Sequence, residues 1–365
     1  MSNKKQEAQM SKVLVMAGGT GGHIIPALAV AKLLIEKGME VSWIGAHNGL
    51  EQELVQQAKI PFDGITVRGI RHSGFKRKLT MPFMLFTAIY QSFKIFRKRK
   101  PFAVLGMGGF VAGPGGLMAI LLRVPLVLHE QNTVAGMTNR WLSGFSRANL
   151  TGFPQAQGIE RFEWIGNPVR ESILALPDPV ERLSKRTGAL RILVIGGSQG
   201  AKAFNDYLPG LLGHCSSDFC EVRHQCGKGI VANIQERYRI AGVDAKVTSF
   251  IDDMADAYGW ADVVICRSGA MTVSEVCAAG VVAIFIPYPH AVNDHQTKNA
   301  EYLVSQKSAF CIKQEDFVKG GWIEILARLS QDRVELSGMA LEARSLSKPD
   351  ATLRAARTCM EVIHA

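Results

Sequence analysis

Short apolar runs that end in glycine-rich turns recur along the chain. Lys12-Val-Leu-Val-Met-Ala-Gly-Gly-Thr-Gly-Gly22 is echoed by Arg191-Ile-Leu-Val-Ile-Gly-Gly-Ser-Gln-Gly-Ala201. Each reads as a charged residue, an apolar strand, a glycine turn and then a helix. An apolar run without polar alternation predicts a strand covered on both faces, as in the parallel sheets of α/β proteins. A second pair follows the same logic: Ala103-Val-Leu-Gly-Met-Gly-Gly109 and Asp262-Val-Val-Ile-Cys-Arg-Ser-Gly269. Between these runs the pattern predicts a helix over 27–37, strands over 40–44, 126–129 and 281–286, and a helix over 293–305. A boundary is expected near Asn167-Pro-Val-Arg170, with a proline-marked linker around Pro177-Asp-Pro179. Lys348-Pro349 precedes a final amphipathic helix reaching about residue 364. Two doubly wound Rossmann-like domains are the fold these repeats predict.

Length agrees, since 365 residues suit two domains. Charge is less even. The formal net charge is +10, yet residues 1–168 hold 20 basic and 9 acidic residues while residues 169–365 hold 22 and 23. Between Asp63 and Glu130 there are eleven basic residues and no acidic one. Such a patch suits phosphates, nucleic acid or an anionic membrane. The seven cysteines form no CxxC pair and no metal-type spacing, so reduced thiols in a cytosolic protein are expected. Residues 1–9 are polar, without the apolar core of an export signal. Residues 102–122 carry no charge over 21 positions, long enough for a membrane span. Six glycines and Pro114 within them favour strand, loop and helix instead.

The glycine turns carry the candidate chemistry. In Gly18-Gly-Thr-Gly-Gly-His23 the backbone can approach a ligand closely, and the helix that follows offers unpaired N–H groups and a positive dipole end. No Gly-Lys-Ser/Thr follows, so it is not a P-loop. It lacks the Gly-x-Gly-x-x-Gly spacing too, and Gly45-Ala-His-Asn48 stands where a nicotinamide site needs an acid. His23, at the loop's exit, reads either as a general base or as a structural histidine. His129-Glu-Gln-Asn132 places four polar side chains after an apolar strand, as a binding site or as a helix cap at Asn132. Gly196-Gly-Ser-Gln-Gly200 repeats the phosphate-loop argument with Ser198 as a hydroxyl donor. In Arg267-Ser-Gly-Ala-Met-Thr-Val-Ser-Glu275, Gly269 and Ala270 open a helix toward a pyrophosphate, Thr272 donates, and Glu275 is placed to bridge two ribose hydroxyls. A plain helix N-terminus with an acid in its first turn is the alternative. Gln296, in Asn293-Asp-His-Gln296, has the chemistry to bind sugar hydroxyls.

Taken together, GGTGGHIIPALAVA (18–31), GMGGFVAGP (106–114), HEQN (129–132), IGNPVR (165–170), GGSQGA (196–201), SGAMTVSE (268–275) and IPYPHAVNDHQTKNA (286–300) span almost the whole chain. In that order they resemble the MurG family of bacterial peptidoglycan glycosyltransferases. Met271 stands where that family usually has leucine. The resemblance implies a GT-B fold, two Rossmann-like domains facing across a cleft. Residues 1–168 would form the acceptor-binding, membrane-facing domain and 169–347 the donor-binding domain, with the helix of 348–365 crossing back to the first. It implies inverting, metal-independent transfer of N-acetylglucosamine from UDP-N-acetylglucosamine to the 4-hydroxyl of MurNAc in lipid I, giving lipid II and UDP, with no cofactor. By the family pattern Ser198, Ile251, Ala270, Met271, Thr272, Val273, Ser274 and Glu275 would contact the donor, with Gln296 on its sugar. Thr20, Gly21, Gly22, Asn132 and Arg170 would line the other side. His23 is the first candidate base and Glu130 the second. Cell-wall synthesis and division proteins are the partners such a role implies.

The basic window then acquires a role. Phe75-Lys-Arg-Lys78, Met81-Pro-Phe-Met-Leu-Phe86, Phe93, Phe96 and Arg97-Lys-Arg-Lys100 mix apolar and basic side chains, which suits docking on an anionic inner-membrane surface through residues 71–100. A peripheral protein on the cytoplasmic side of that membrane is expected. A nucleic-acid binder would interleave its basic residues with stacking aromatics, and would leave four glycine loops unexplained. A UDP-N-acetylglucosamine 2-epimerase-like enzyme on the same fold is the alternative, and it would not need the apolar-basic patch.

Overall fold

The computed structural model describes residues 11–67, 75–197, 199–216 and 218–364, with the side chains of 75–82 and 292 left aside. Contacts divide the chain into one unit of residues 1–168 with 350–365 and another of residues 169–349.

In the first unit β1 (Lys12–Met16), β2 (Glu40–Ala46), β3 (Phe62–Ile65), β4 (Ala103–Gly106), β5 (Leu126–Glu130), β6 (Ala148–Thr151) and β7 (Glu163–Trp164) form one parallel sheet in the order β3-β2-β1-β4-β5-β6-β7. Helices cover both faces, which is why β1 has no polar alternation. Val13 and Val15 pack with Ile24, Ala27, Val30 and Leu34 of the helix Gly21–Glu36, and with Ala355 and Cys359 of the helix Ala351–His364. Leu14 and Met16 point the other way, toward Val111, Ala112 and Ala119 of the next layer. The last helix thus closes the core of the unit in which the chain begins.

The second unit repeats the plan with β8 (Leu190–Ile195), β9 (Cys220–Gln225), β10 (Asp244–Thr248), β11 (Val263–Cys266), β12 (Val282–Phe285) and β13 (Ala309–Cys311), in the order β10-β9-β8-β11-β12-β13. Every pairing in it is parallel. Strand order reverses beside β1 and β4 in one unit and beside β8 and β11 in the other. These are the places where doubly wound sheets bind ligands, outside the strands' carboxyl ends.

Several sequence expectations are corrected. The first helix begins at Gly21, six residues before position 27, so His23 sits in its first turn. Pro26 lies inside this helix; near an N-terminus it forfeits a single backbone bond, a cost the buried face absorbs. Pro179 opens a short helix, Pro179–Leu183, that Asp178 caps through Val180 N–H at 2.8 Å, so the expected linker is part of the second unit. Residues 102–122, by contrast, form the expected strand, glycine turn and helix, as β4 and Ala112–Leu121. Among the described residues no helix is long and apolar enough to cross a membrane.

Much of the basic window lies on the helix Phe75–Arg99. Phe83, Phe86, Tyr90 and Phe93 are exposed there, whereas Ile95 and Phe96 belong to the core. Phe96 therefore leaves the proposed surface. Asp63 accepts from Lys98 Nζ at 2.8 Å and Arg99 Nε at 2.5 Å, so part of the positive excess is neutralised within the fold.

Two loops meet backbone to backbone at the first switch point. Gly109 has φ +83°, and a Cβ there would stand 2.2 Å from the Gly18 carbonyl oxygen. Gly109→Ala should therefore cost about 1–3 kcal/mol for conformation alone, plus the displacement of Gly18. Differential scanning calorimetry should show the first unit melting several degrees lower, at roughly 2–4 °C per kcal/mol. An unchanged melting temperature would mean that the loops part without cost.

Candidate active site

The strand-end loops and helix N-termini gather polar groups at one place in each unit. In the first unit the helix Gly21–Glu36 starts after Thr20, whose backbone is extended and whose side chain makes no cap bond. Its carbonyl accepts from His23 N–H at 3.0 Å and Ile24 N–H at 3.2 Å. The N–H groups of Gly21 and Gly22 precede the first helical donor, His23 N–H, and suit an anion or a polar oxygen.

A residue that the sequence reading missed holds this loop. Glu51 is fully buried, and its carboxylate accepts from Gly19 N–H at 3.3 Å and Ala46 N–H at 2.8 Å. A Cβ on Gly18, Gly45 or Gly49 would collide with it. The acid absent from the end of β2 is thus supplied by the next helix, and it is spent on backbone. Three glycines close in space around one acid are its signature, and only the fold brings them together.

His23 lies against Gly108, where a Cβ would come within 3.1 Å of its ring. Its Nδ1 is 2.8 Å from Gln131 Oε1, and the Gln131 amide reaches His129 Nδ1 at 3.1 Å. His129 Nε2 lies 2.9 Å from the Gly166 carbonyl. Glu130, 2% exposed, accepts from Asn132 N–H at 3.0 Å, Asn132 Nδ2 at 3.2 Å, Gly136 N–H at 3.1 Å and Asn139 Nδ2 at 2.9 Å. Four donors fill the acceptor capacity of a carboxylate. The geometry makes Glu130 the organiser of the 131–136 loop, whereas among the described residues His23 has a ring bond on Nδ1 alone. Asn132 stays beside it as part of that loop.

In the second unit a cavity of about 640 Å³ opens at the carboxyl ends of β8 and β11. Gly196, Gly197, Gly269, Thr272, Tyr288 and Gln296 are among its walls. The helix Ala270–Ala279 begins there without a side-chain cap, so its first N–H groups face the opening. Ala270, Met271 and Val273 are buried behind Thr272, and Ser274 Oγ donates back to the Ala270 carbonyl at 3.0 Å. Gln296 Oε1 accepts from Tyr288 N–H at 2.8 Å.

Glu275, 8% exposed, accepts from Tyr258 Oη at 3.2 Å and lies 4.0 Å from Arg170 Nε. Burial pushes its carboxyl upward, against the pull of Arg170 and Tyr258. Arg170 and Ile251 do not line the cavity. Ser198 lies outside the described residues. Arg267 is a further wall residue. Its guanidinium donates to the Ile286 and Pro287 carbonyls and to Gln314 Oε1, and lies over the rings of Phe204 and Tyr288. Among the described residues no group of three or more His, Cys, Asp or Glu is arranged to hold a metal.

Residues 13–151 match the glycosyltransferase family 28 N-terminal domain and residues 191–354 the glycosyltransferase family 28 C-terminal domain. A protein of Marinobacter nauticus named UDP-N-acetylglucosamine–N-acetylmuramyl-(pentapeptide) pyrophosphoryl-undecaprenol N-acetylglucosamine transferase is 48% identical, over 96% of this chain and 97% of its own. One of the same name from Alcanivorax borkumensis is 48% identical, over 96% and 98%. The crystal structure of Acinetobacter baumannii MurG superposes with a TM-score of 0.82 at 39% identity, covering 96% of this chain and 99% of that one. The chain belongs to the MurG family, within glycosyltransferase family 28.

Membership of the MurG family places the two sheets in the GT-B fold. A UDP-N-acetylglucosamine 2-epimerase from Neisseria meningitidis matches with a TM-score of 0.63 but at 13% identity, which is a likeness of fold alone.

Buried imidazoles, His129 and also His224, set a pH dependence in this MurG-family chain. Burial pushes His129 down to about 4 in the folded chain, against the bond to Gly166 and the charge of Glu130. An unfolded histidine titrates near 6.5. Between these values the unfolded state binds more protons, so the contribution is complete above about pH 6.5 and is lost as pH falls toward 4. Roughly 2 kcal/mol should be gone by about pH 5. Urea unfolding at about pH 7 and pH 5 should show this loss, and His129→Asn should make the slope shallower; an equal slope in both proteins would refute the assignment.

Proposed function

We propose that the chain transfers N-acetylglucosamine from UDP-N-acetylglucosamine to the 4-hydroxyl of MurNAc in lipid I, forming lipid II and UDP. The observation that carries this reading is the 48% identity, over nearly the full length of both chains, to transferases named for that reaction. The epimerase alternative has only a shared fold behind it.

The donor belongs in the second unit. The opening turn of the helix Ala270–Ala279 and the loop at Gly196 and Gly197 present N–H groups to the diphosphate, and Thr272 adds a hydroxyl. Glu275 takes the ribose hydroxyls, Ile251 lies against the uracil, and Gln296 binds the sugar. The family pattern adds Ser198 to the donor contacts and groups Arg170 with Thr20, Gly21, Gly22 and Asn132. The acceptor belongs in the first unit, against Thr20, Gly21, Gly22 and Asn132. His23 Nε2 removes the proton of the attacking hydroxyl. The new C–O bond forms as the bond from the anomeric carbon to the phosphate oxygen breaks, which inverts that carbon. UDP leaves with the electron pair, and fixed amide dipoles stabilise its growing charge without a metal.

A lipid-linked acceptor requires access to a membrane, and the helix Phe75–Arg99 suits it. Phe83, Phe86, Tyr90 and Phe93 follow helical spacing and are exposed, with Lys94 over Tyr90 and Arg97 over Phe93. Such a surface supports the reading of a peripheral protein on the cytoplasmic face of the inner membrane.

In detergent, with UDP-N-acetylglucosamine and a lipid I analogue, UDP release should depend on the acceptor and be unaffected by EDTA. Release without acceptor, or loss of it in EDTA, would reject the reading. His23→Ala should lower kcat by about 10²–10⁴-fold while sparing donor affinity; an unchanged kcat removes it as base. The double variant Phe83→Ser/Phe86→Ser should bind anionic vesicles about tenfold more weakly or worse, yet turn over a soluble acceptor normally. Equal vesicle binding would rule this helix out as the contact.

A further inference from the structure

The hydrogen bonds that run inward from His23 have a single possible direction. The Gly166 carbonyl can only accept, so His129 carries its proton on Nε2. Burial keeps that ring neutral, and its Nδ1 is therefore a lone pair. Gln131 Nε2 donates to this nitrogen at 3.1 Å and to the His129 carbonyl at 3.2 Å. Turning the amide over would set its oxygen against both acceptors, so its orientation is forced. Gln131 Oε1 then faces His23 Nδ1 at 2.8 Å as an acceptor, and His23 must hold its proton on Nδ1. His23 Nε2 is left with a lone pair and no hydrogen-bond partner among the described residues.

We propose that Gln131 and His129 are positioning residues that lock His23 in the Nδ1–H tautomer, with Nε2 free to take a proton from the acceptor hydroxyl. The proposal rests on the reading of His23 as the base. A histidine base needs a partner on its other nitrogen to set its tautomer, and a carboxylate often serves. Here the neighbouring carboxylate, Glu130, is wholly committed to the 131–136 loop. A neutral amide takes its place, and its own direction is set by a buried histidine anchored to backbone. Gln131 is 1% exposed and His129 is fully buried, so water does not compete for these bonds. His23 is only half-buried, and its outer nitrogen keeps access to a substrate.

The test reads the tautomer directly on the full-length enzyme. With ¹⁵N-labelled histidine, two-bond proton–nitrogen correlation spectra should show His23 protonated on Nδ1, its signals assigned by their loss in His23→Gln. Gln131→Met keeps the length of the side chain and removes both polar ends. In that variant the Nε2–H form of His23 should become populated, and kcat should fall by about 10- to 100-fold, as when orienting partners are lost elsewhere. KM for donor and acceptor should stay near the parent values, which a loosened fold would not preserve.

A wild-type His23 found mainly as the Nε2–H tautomer overturns the proposal, and this result needs no variant to fold. So does a Gln131→Met enzyme with parental kcat, even one with a lower melting temperature. If His23→Ala retains turnover, the base reading falls and takes the proposal with it. If His23→Ala is inactive while the wild-type tautomer is Nε2–H, the base survives and only the relay fails.

Discussion

Both candidate sites depend on a close approach of backbone to backbone that no side chain would permit. In the first unit Gly109 lies where a Cβ would reach the Gly18 carbonyl. In the second, Gly200 has φ +74°, and a Cβ there would sit 2.0 Å from the Cys226 carbonyl. Each contact presses a strand-end loop onto its neighbour. The helices Gly21–Glu36 and Lys202–Leu212, which follow the Gly18 and Gly200 loops, then start at a strand's end without a side-chain cap on their first N–H groups. An anion-binding geometry follows from this packing without any charged residue. Side chains are added to it afterwards: His23 and Asn132 in one unit, Thr272, Gln296 and Arg267 in the other.

Three buried carboxylates show how differently one functional group can be spent. Glu51 ties two backbone N–H groups together and fixes the first glycine loop. Glu130 collects four donors and shapes the loop beyond β5. Glu275 has one hydroxyl donor and a guanidinium 4.0 Å away, so part of its acceptor capacity remains for a ligand. Buried charge is tolerated only where partners are supplied. By that measure Glu51 and Glu130 are already satisfied, and Glu275 is the one with acceptor capacity left over.

The strands were legible because both faces of each sheet are covered. Val13 and Val15 serve one layer, Leu14 and Met16 the other, and the sequence shows an unbroken apolar run. The glycine turns were legible for the steric reason just given. The start of the first helix was not, because Pro26 argues locally for a boundary that packing overrides. Phe93 and Phe96 looked alike in the sequence, and only the helix's orientation on the sheet exposes one and buries the other. Glu51 carried no periodic signal, since the glycines that accommodate it stand at 18, 45 and 49. Roles within the site came from the resemblance of several motifs in order; spacing alone left His23 and Glu275 each with a structural reading.

Hydrogen-bond direction carries information that motif matching does not. Polar side chains at one strand end could serve as ligands, caps or bases, and distance alone does not separate them. A carbonyl oxygen accepts and never donates, so a run of bonds that ends on one inherits a direction. In the first unit that run ends at Gly166 and passes through a histidine too buried to take a second proton. Polarity at His23 is then a consequence of a backbone carbonyl three hydrogen bonds away. The same reasoning sets Glu130 aside as a base, because four donors already point at it. A chemical asymmetry between two neighbouring candidates, open in the sequence, thus follows from counting donors and acceptors.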